Sequence, residues 1–280
     1  MARTDPSDLS SLTDRGYQVE FHSHAQAILS VDFPDAISEL RDVLAGLTIP
    51  IEEIIGSGGG ETKGTQRLRH GLAQKGWTKT NFEIRKTING VERESISHEV
   101  DHVRSFPRPG AEAPAMVALE IEWNNKDPFF DRDLENFKRL HAEGAISAGI
   151  IVTRGAELQH AMRDLVRHWV EDNNIDTHER LTELGLNQTA RQKREVRKRV
   201  ERAKNPVPFR DAWTDQFVGD KFGTATTHWA KLIDRVHRGV GNPCPLLLVG
   251  LPPSIVTFGE DPGVVAALLE EGAQAADEGT

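Results

Sequence analysis

The run Ala115-Met-Val-Ala-Leu-Glu-Ile-Glu-Trp123 alternates with a period of two. Val117, Leu119, Ile121 and Trp123 fall on one side of such a strand, and Ala118, Glu120 and Glu122 on the other. Next come Leu134, Phe137 and Leu140, spaced for one buried stripe of a helix over Asp131 to His141. Ala148-Gly-Ile-Ile-Val-Thr153 then reads as a short, wholly apolar strand. Strand, helix and apolar strand make a crossover unit. It predicts an α/β fold with a central mixed β-sheet flanked by helices.

The flanks extend this pattern. Phe82, Ile84 and Ile88 lie in alternating, β-branched company and predict another strand. Pro245-Leu-Leu-Leu-Val-Gly-Leu251 predicts a last buried one. Phe33, Ile37, Leu40, Val43 and Leu44 predict a helix, as do Leu68 and Leu72, ending near Gly76. Thr226 to His237 predicts a third, broken by Gly239 and Gly241. Gly56-Ser-Gly-Gly-Gly60 reads as a hinge or turn, because Lys63 follows Thr62 and not the Gly of a phosphate-binding loop. Residues 1–16 are polar and expected to be loose. Residues 156–204 are expected to be helical throughout. The division expected is a domain over 17–258, a basic helical insertion at 156–215 within it, and an acidic, disordered tail at 259–280.

The chain has 280 residues, with 38% apolar and 28% charged. That is one large domain or two small ones, globular in composition. Forty-three acids against 34 Lys and Arg give −9, which speaks against a nucleic-acid partner when taken alone. The distribution changes this. Six acids and no Lys or Arg follow Gly259, while residues 191–204 hold eight Lys and Arg against Glu195 and Glu201. That basic run is either a solvated helix face or an arm for phosphates, with Arg194 and Lys198 as contacts. A single cysteine, Cys244, excludes an intramolecular disulfide and fits a reducing, cytoplasmic setting. No signal-peptide core and no apolar run near the ~18 residues of a membrane span are present.

Two constellations carry chemistry. His98-Glu-Val-Asp-His102 fits H-E-x-x-H. On a helix, His98 and His102 share a face and bind zinc, with Glu99 as general base and Glu120 as a third ligand: a zinc metallopeptidase. The second is Asp101 with Glu120 and Glu122. If both segments are strands of one sheet, three carboxylates converge. Such hard oxygen donors suit Mg²⁺ and phosphodiester hydrolysis. The pattern of residues leaves both readings open, beside the plain one of solvated polar faces.

Leu119-Glu-Ile-Glu-Trp-Asn-Asn-Lys-Asp-Pro-Phe-Phe130 resembles the catalytic strand and following loop of the BglII/BstYI type of restriction endonuclease. Four further segments fit in the same order. Ser23-His-Ala-Gln-Ala-Ile-Leu29 is similar to the N-terminal region, and Glu99-Val-Asp-His102 to the first catalytic strand. Thr226-Thr-His-Trp-Ala-Lys-Leu232 and Pro245-Leu-Leu-Leu-Val-Gly250 are similar to the closing helix and strand. Together they cover most of 20–258, interrupted by 156–215.

The resemblance implies the PD-(D/E)xK nuclease fold and a type II site-specific deoxyribonuclease. Such an enzyme works as a homodimer on short palindromic sites in double-stranded DNA with Mg²⁺. It implies Asp101 and Glu120 as metal carboxylates and the Ile121 carbonyl as a further ligand. Glu122 stands where the wider superfamily usually has Lys, and the role favoured for it is activation of the attacking water. Asn124 and Asn125, and Thr224, Thr226 and Thr227, fall where the family places groups that face DNA. A binding protein that keeps the sheet without cutting DNA is the non-enzymatic rival.

Overall fold

The computed structural model describes residues 8–56, 62–107, 110 and 113–259. In chain order the first elements are α1 (Ser10–Thr13), β1 (Gln18–His22), α2 (Ala25–Asp32), α3 (Pro34–Ala45), β2 (Ile49–Pro50), α4 (Ile51–Gly56) and α5 (Lys63–Gln74). Then come β3 (Thr78–Ile88), β4 (Val91–Phe106), β5 (Ala115–Glu122), α6 (Phe129–Ala142), β6 (Ala148–Arg154) and α7 (Ala156–Asp172). The last are α8 (His178–Glu183), α9 (Ala190–Val200), α10 (Phe209–Lys221), α11 (Trp229–His237), β7 (Leu246–Leu251) and β8 (Val256–Thr257). Two compact units result. Of the described residues, the first takes those up to Gly46 and those within Arg67–Ala156 and Thr227–Pro252; the second takes those within Leu47–Gln66, Glu157–Thr226 and 253–259.

The first unit is α/β. Its six-stranded sheet has the order β1-β7-β6-β5-β4-β3. β5, β6 and β7 are parallel, and the outer pairs are antiparallel, so the sheet is mixed. Every residue of β6 and β7 is buried, which explains their unbroken apolar runs. Phe130, Leu134, Phe137 and Leu140 of α6, with Trp229, Leu232 and Val236 of α11, pack on Ala118, Ile151, Leu246 and Leu248. Helix α2 packs on β1, β6 and β7.

Gly149 is a tight point of that layer. A Cβ there would meet Cε2 of Phe137 at 2.8 Å, in a ring that is itself fully buried. Gly149→Ala is expected to cost about 1–3 kcal/mol of stability, as other overpacked cores do. Urea unfolding measures it; an unchanged midpoint would show that the ring turns aside.

Strand β4 changes register partway. Thr80 pairs with Val100 and Thr78 with Val103, so Asp101 and His102 stand opposite Lys79 alone. This is a β-bulge, which re-aims the side chains it carries. Burial runs His98, Val100, His102 and then shifts to Val103.

Several expectations are corrected. Residues 95–105 lie in strand β4, not in a helix. Four residues of strand separate His98 from His102 by about 13 Å along the chain. Two imidazoles so placed do not share one zinc ion bound at about 2 Å. Both rings are buried, and His102 Nδ1 lies 3.3 Å from the Leu119 carbonyl oxygen. The zinc metallopeptidase reading is therefore removed. Residues 8–16, expected to be loose, contain α1, with Leu9 and Leu12 buried. The stretch 156–204 is three helices, because Asn174 and Gly185 turn the chain with positive φ. Most of the glycine-rich loop, at 57–60, and the acidic tail beyond Gly259 lie outside the described residues.

The second unit is mainly helical, with β2 and β8 as a short parallel pair. Leu158, Met162, Val166, Trp169 and Val170 form the buried stripe of α7. Arg163–Asp215 at 2.7 Å and Arg167–Asp211 at 2.9 Å join α7 to α10. Thr189 and Gln192 form a reciprocal capping box at the start of α9. Among the described residues, no helix is long and apolar enough to cross a membrane.

Candidate active site

β5 lies inside the sheet, between β4 and β6. Glu120 and Glu122 share the face that carries Ala118, the face covered by α6. They are 5% and 2% exposed. Asp133 of α6 is buried with them at 1%. Asp101 stays open to solvent at the β4 bulge. Its backbone N–H donates to Glu120 Oε1 at 3.4 Å, and its Oδ1 is 3.8 Å from Lys79 Nζ. Lys79 also pairs with Glu99 at 2.7 Å.

Glu122 is tied on several sides. Its Oε2 accepts from Asn125 Nδ2 at 2.8 Å, and its Oε1 is 3.6 Å from Arg132 Nη2. Its carboxyl is within hydrogen-bonding reach of Asp133. Asp133 Oδ1 accepts from Arg132 Nε at 2.8 Å, while its buried Oδ2 meets no donor.

Burial pushes Glu120 up to about 9, and the neighbouring charges of Asp133 and Asp101 push the same way. Burial and the charge of Asp133 likewise raise Glu122 to about 9. Burial also raises Asp133. These acids crowd against one guanidinium, so ionising them together is costly.

A divalent cation relieves that cost, and an all-oxygen donor set matches a hard one. Among the described residues, no three His, Cys, Asp or Glu side chains gather so as to hold an ion. Glu122 is held by Asn125 and lies within reach of Asp133. Asp101, Glu120 and the Ile121 carbonyl are the groups expected to hold such an ion, with water completing its shell. Mg²⁺ is commonly bound in this way, through one or two carboxylates.

The loop after β5 is locked from below. Arg154, fully buried at the end of β6, donates from Nε to the Trp123 carbonyl at 2.8 Å and from Nη2 to the Thr227 carbonyl at 2.7 Å. Burial lowers its guanidinium to about 9. The Thr227 N–H donates to the Asn125 carbonyl at 2.8 Å, and the Asn125 N–H donates to Thr227 Oγ1 at 3.0 Å. Thr227, named as a DNA contact from sequence, is fully buried here. The other DNA-facing candidates are distributed as follows. Asn125 is exposed beside Glu122, and Asn124 is partly buried. Thr224 is exposed in the second unit, where Thr226 Oγ1 donates to the Gly223 carbonyl at 2.8 Å. Arg194 and Lys198 are exposed on α9 of that unit, and Lys198 pairs with Glu195 at 2.9 Å.

Sequence reasoning missed Lys79, Arg132, Asp133 and Arg154. One signal was available. Asp133 falls on the stripe of Phe130, Leu134 and Phe137, so a helix there buries a carboxylate.

A family model described as restriction endonuclease BglII/BglIII matches residues 17–251. No curated protein matches the chain.

Proposed function

The chain belongs to the BglII/BglIII restriction endonuclease family, and from this we propose that it is a type II enzyme cutting double-stranded DNA at a short palindromic site with Mg²⁺. The observation that carries the reading is the buried acid cluster at the end of β5, beside Asp101 on the adjoining strand. Restriction endonucleases generally use divalent ions. In this chain Asp101, Glu120 and the Ile121 carbonyl would hold the ion. Bound there, it would polarise the phosphate and lower the pKa of water.

The remaining roles belong to the chain itself. Glu122, fixed by Asn125, orients the attacking water through a carboxylate oxygen. Asn125 then links that carboxylate to the loop over which DNA would lie, and Asn124 is its neighbour on the same loop. Thr224, Thr226, Thr227, Arg194 and Lys198 are the further candidates for phosphate or base-edge contact. Residues 17–258 form the nuclease domain, with 156–215 as a basic insertion. A homodimer matches a palindrome, each subunit cutting one strand. A cytoplasmic setting accords with the single cysteine.

The test is incubation of purified protein with plasmid and Mg²⁺ at low salt. Discrete fragments are expected, lost in Asp101→Ala. Intact plasmid across many substrates and divalent ions would refute the proposal. Specific binding in Ca²⁺ with no cleavage in Mg²⁺ would instead identify a non-catalytic binding protein.

A further inference from the structure

One guanidinium reaches into the acid cluster. We propose that Arg132 grips the phosphate to be cut, as the fixed cation of the active site. The inference rests on the nuclease reading above. Arg132 is held on three sides. Nε and Nη2 each lie 2.8 Å from Asp133 Oδ1. Nη2 is 3.6 Å from Glu122 Oε1. The guanidinium carbon lies 4.4 Å from the centre of the Phe129 ring. Asp133 cannot swing away, because it is buried in the stripe that α6 packs against the sheet.

The same side chain is nonetheless 53% exposed, and its Nη1 makes no hydrogen bond among the described residues. A side chain that served only to neutralise Asp133 would have no need of that opening. The arrangement instead fixes a fork of donors beside Glu122, on a side chain that is half exposed. Phosphate oxygens match that fork, and a preset donor gains most as charge grows on them during reaction. Lys79 is less suited. Its ammonium is exposed and already shared by Glu99 and Asp101.

The experiment compares wild type, Arg132→Gln and Arg132→Lys. A duplex carrying the cut site, mapped from the plasmid digest, is bound in Ca²⁺ over a salt series and cut in Mg²⁺. Arg132→Gln is expected to lower the cleavage rate about 10²–10³-fold. It should also reduce the slope of log Kd against log salt by about one, the signature of one lost phosphate contact. Arg132→Lys should keep the slope and recover only part of the rate, because an ammonium lacks the fork. A purely structural Arg132 would show a lower unfolding midpoint with the salt slope and folded-state rate unchanged, and that result overturns the proposal. If wild type neither binds nor cuts DNA, the nuclease reading fails and takes this one with it. An active wild type with an equally active Arg132→Gln removes the Arg132 assignment alone.

Discussion

Glu120→Gln is expected to abolish DNA cleavage, by at least about a thousandfold, while stabilising the cation-free protein at alkaline pH. Both effects come from one side chain. Glu120 is 5% exposed and sits between Asp101 and Asp133, so its charge is useful only when a cation is present to meet it. Burial raises its carboxyl from 4.5 to about 9. The folded protein therefore holds the proton more tightly than the unfolded chain does. Its contribution to stability is complete below about pH 4.5 and is lost as pH rises towards 9. Gln has no proton to lose. In EDTA, the wild-type unfolding midpoint should fall across that window more steeply than the variant's. Divalent cations should raise the wild-type midpoint and leave the variant's nearly unmoved. Cleavage retained by Glu120→Gln would sink the assignment of Glu120 to the metal site.

Arg154→Met is expected to lower the unfolding free energy by about 2–5 kcal/mol, the largest stability loss predicted for this chain. Met fills much of the volume but donates nothing. The Trp123 and Thr227 carbonyls then lose the bonds that Arg154 makes inside the protein. Urea denaturation followed by fluorescence measures the loss; less than about 1 kcal/mol would show that water replaces the guanidinium. Cleavage should fall as well, measured where the variant is still folded. The Asn125–Thr227 pair is bonded to the same segment, and Asn125 fixes Glu122.

The fold was legible because periodicity survives without coordinates. The alternation over 115–123 and the α6 stripe carry distinct periods, and the short apolar runs of β6 and β7 are too brief for a typical helix. Their combination is the mixed sheet flanked by helices that the structure has. Where local signals compete, sequence was less decisive. His98-Glu-Val-Asp-His102 has spacing for a helical zinc site, yet Thr80 to Ile88 pair with Val91 to Val100 in a hairpin. Those backbone bonds override the short motif.

The site divides the same way. Asp101, Glu120 and Glu122 could be singled out from sequence, since Glu-x-Glu on a strand puts both acids on one face. Whether that face meets solvent could not be read there. Only the packing of α6 encloses both glutamates, brings Asp133 and Arg132 against them, and turns Glu122 towards Asn125. Arg154 likewise looks like the charged end of an apolar strand until Trp123 and Thr227 arrive from separate segments. Sequence by itself determined β5, α6, β6, β7 and the family. Tertiary structure alone decided which carboxylates are buried and which cation meets them. Period is set by neighbours along the chain, whereas desolvation and charge pairing depend on groups that only the fold brings together.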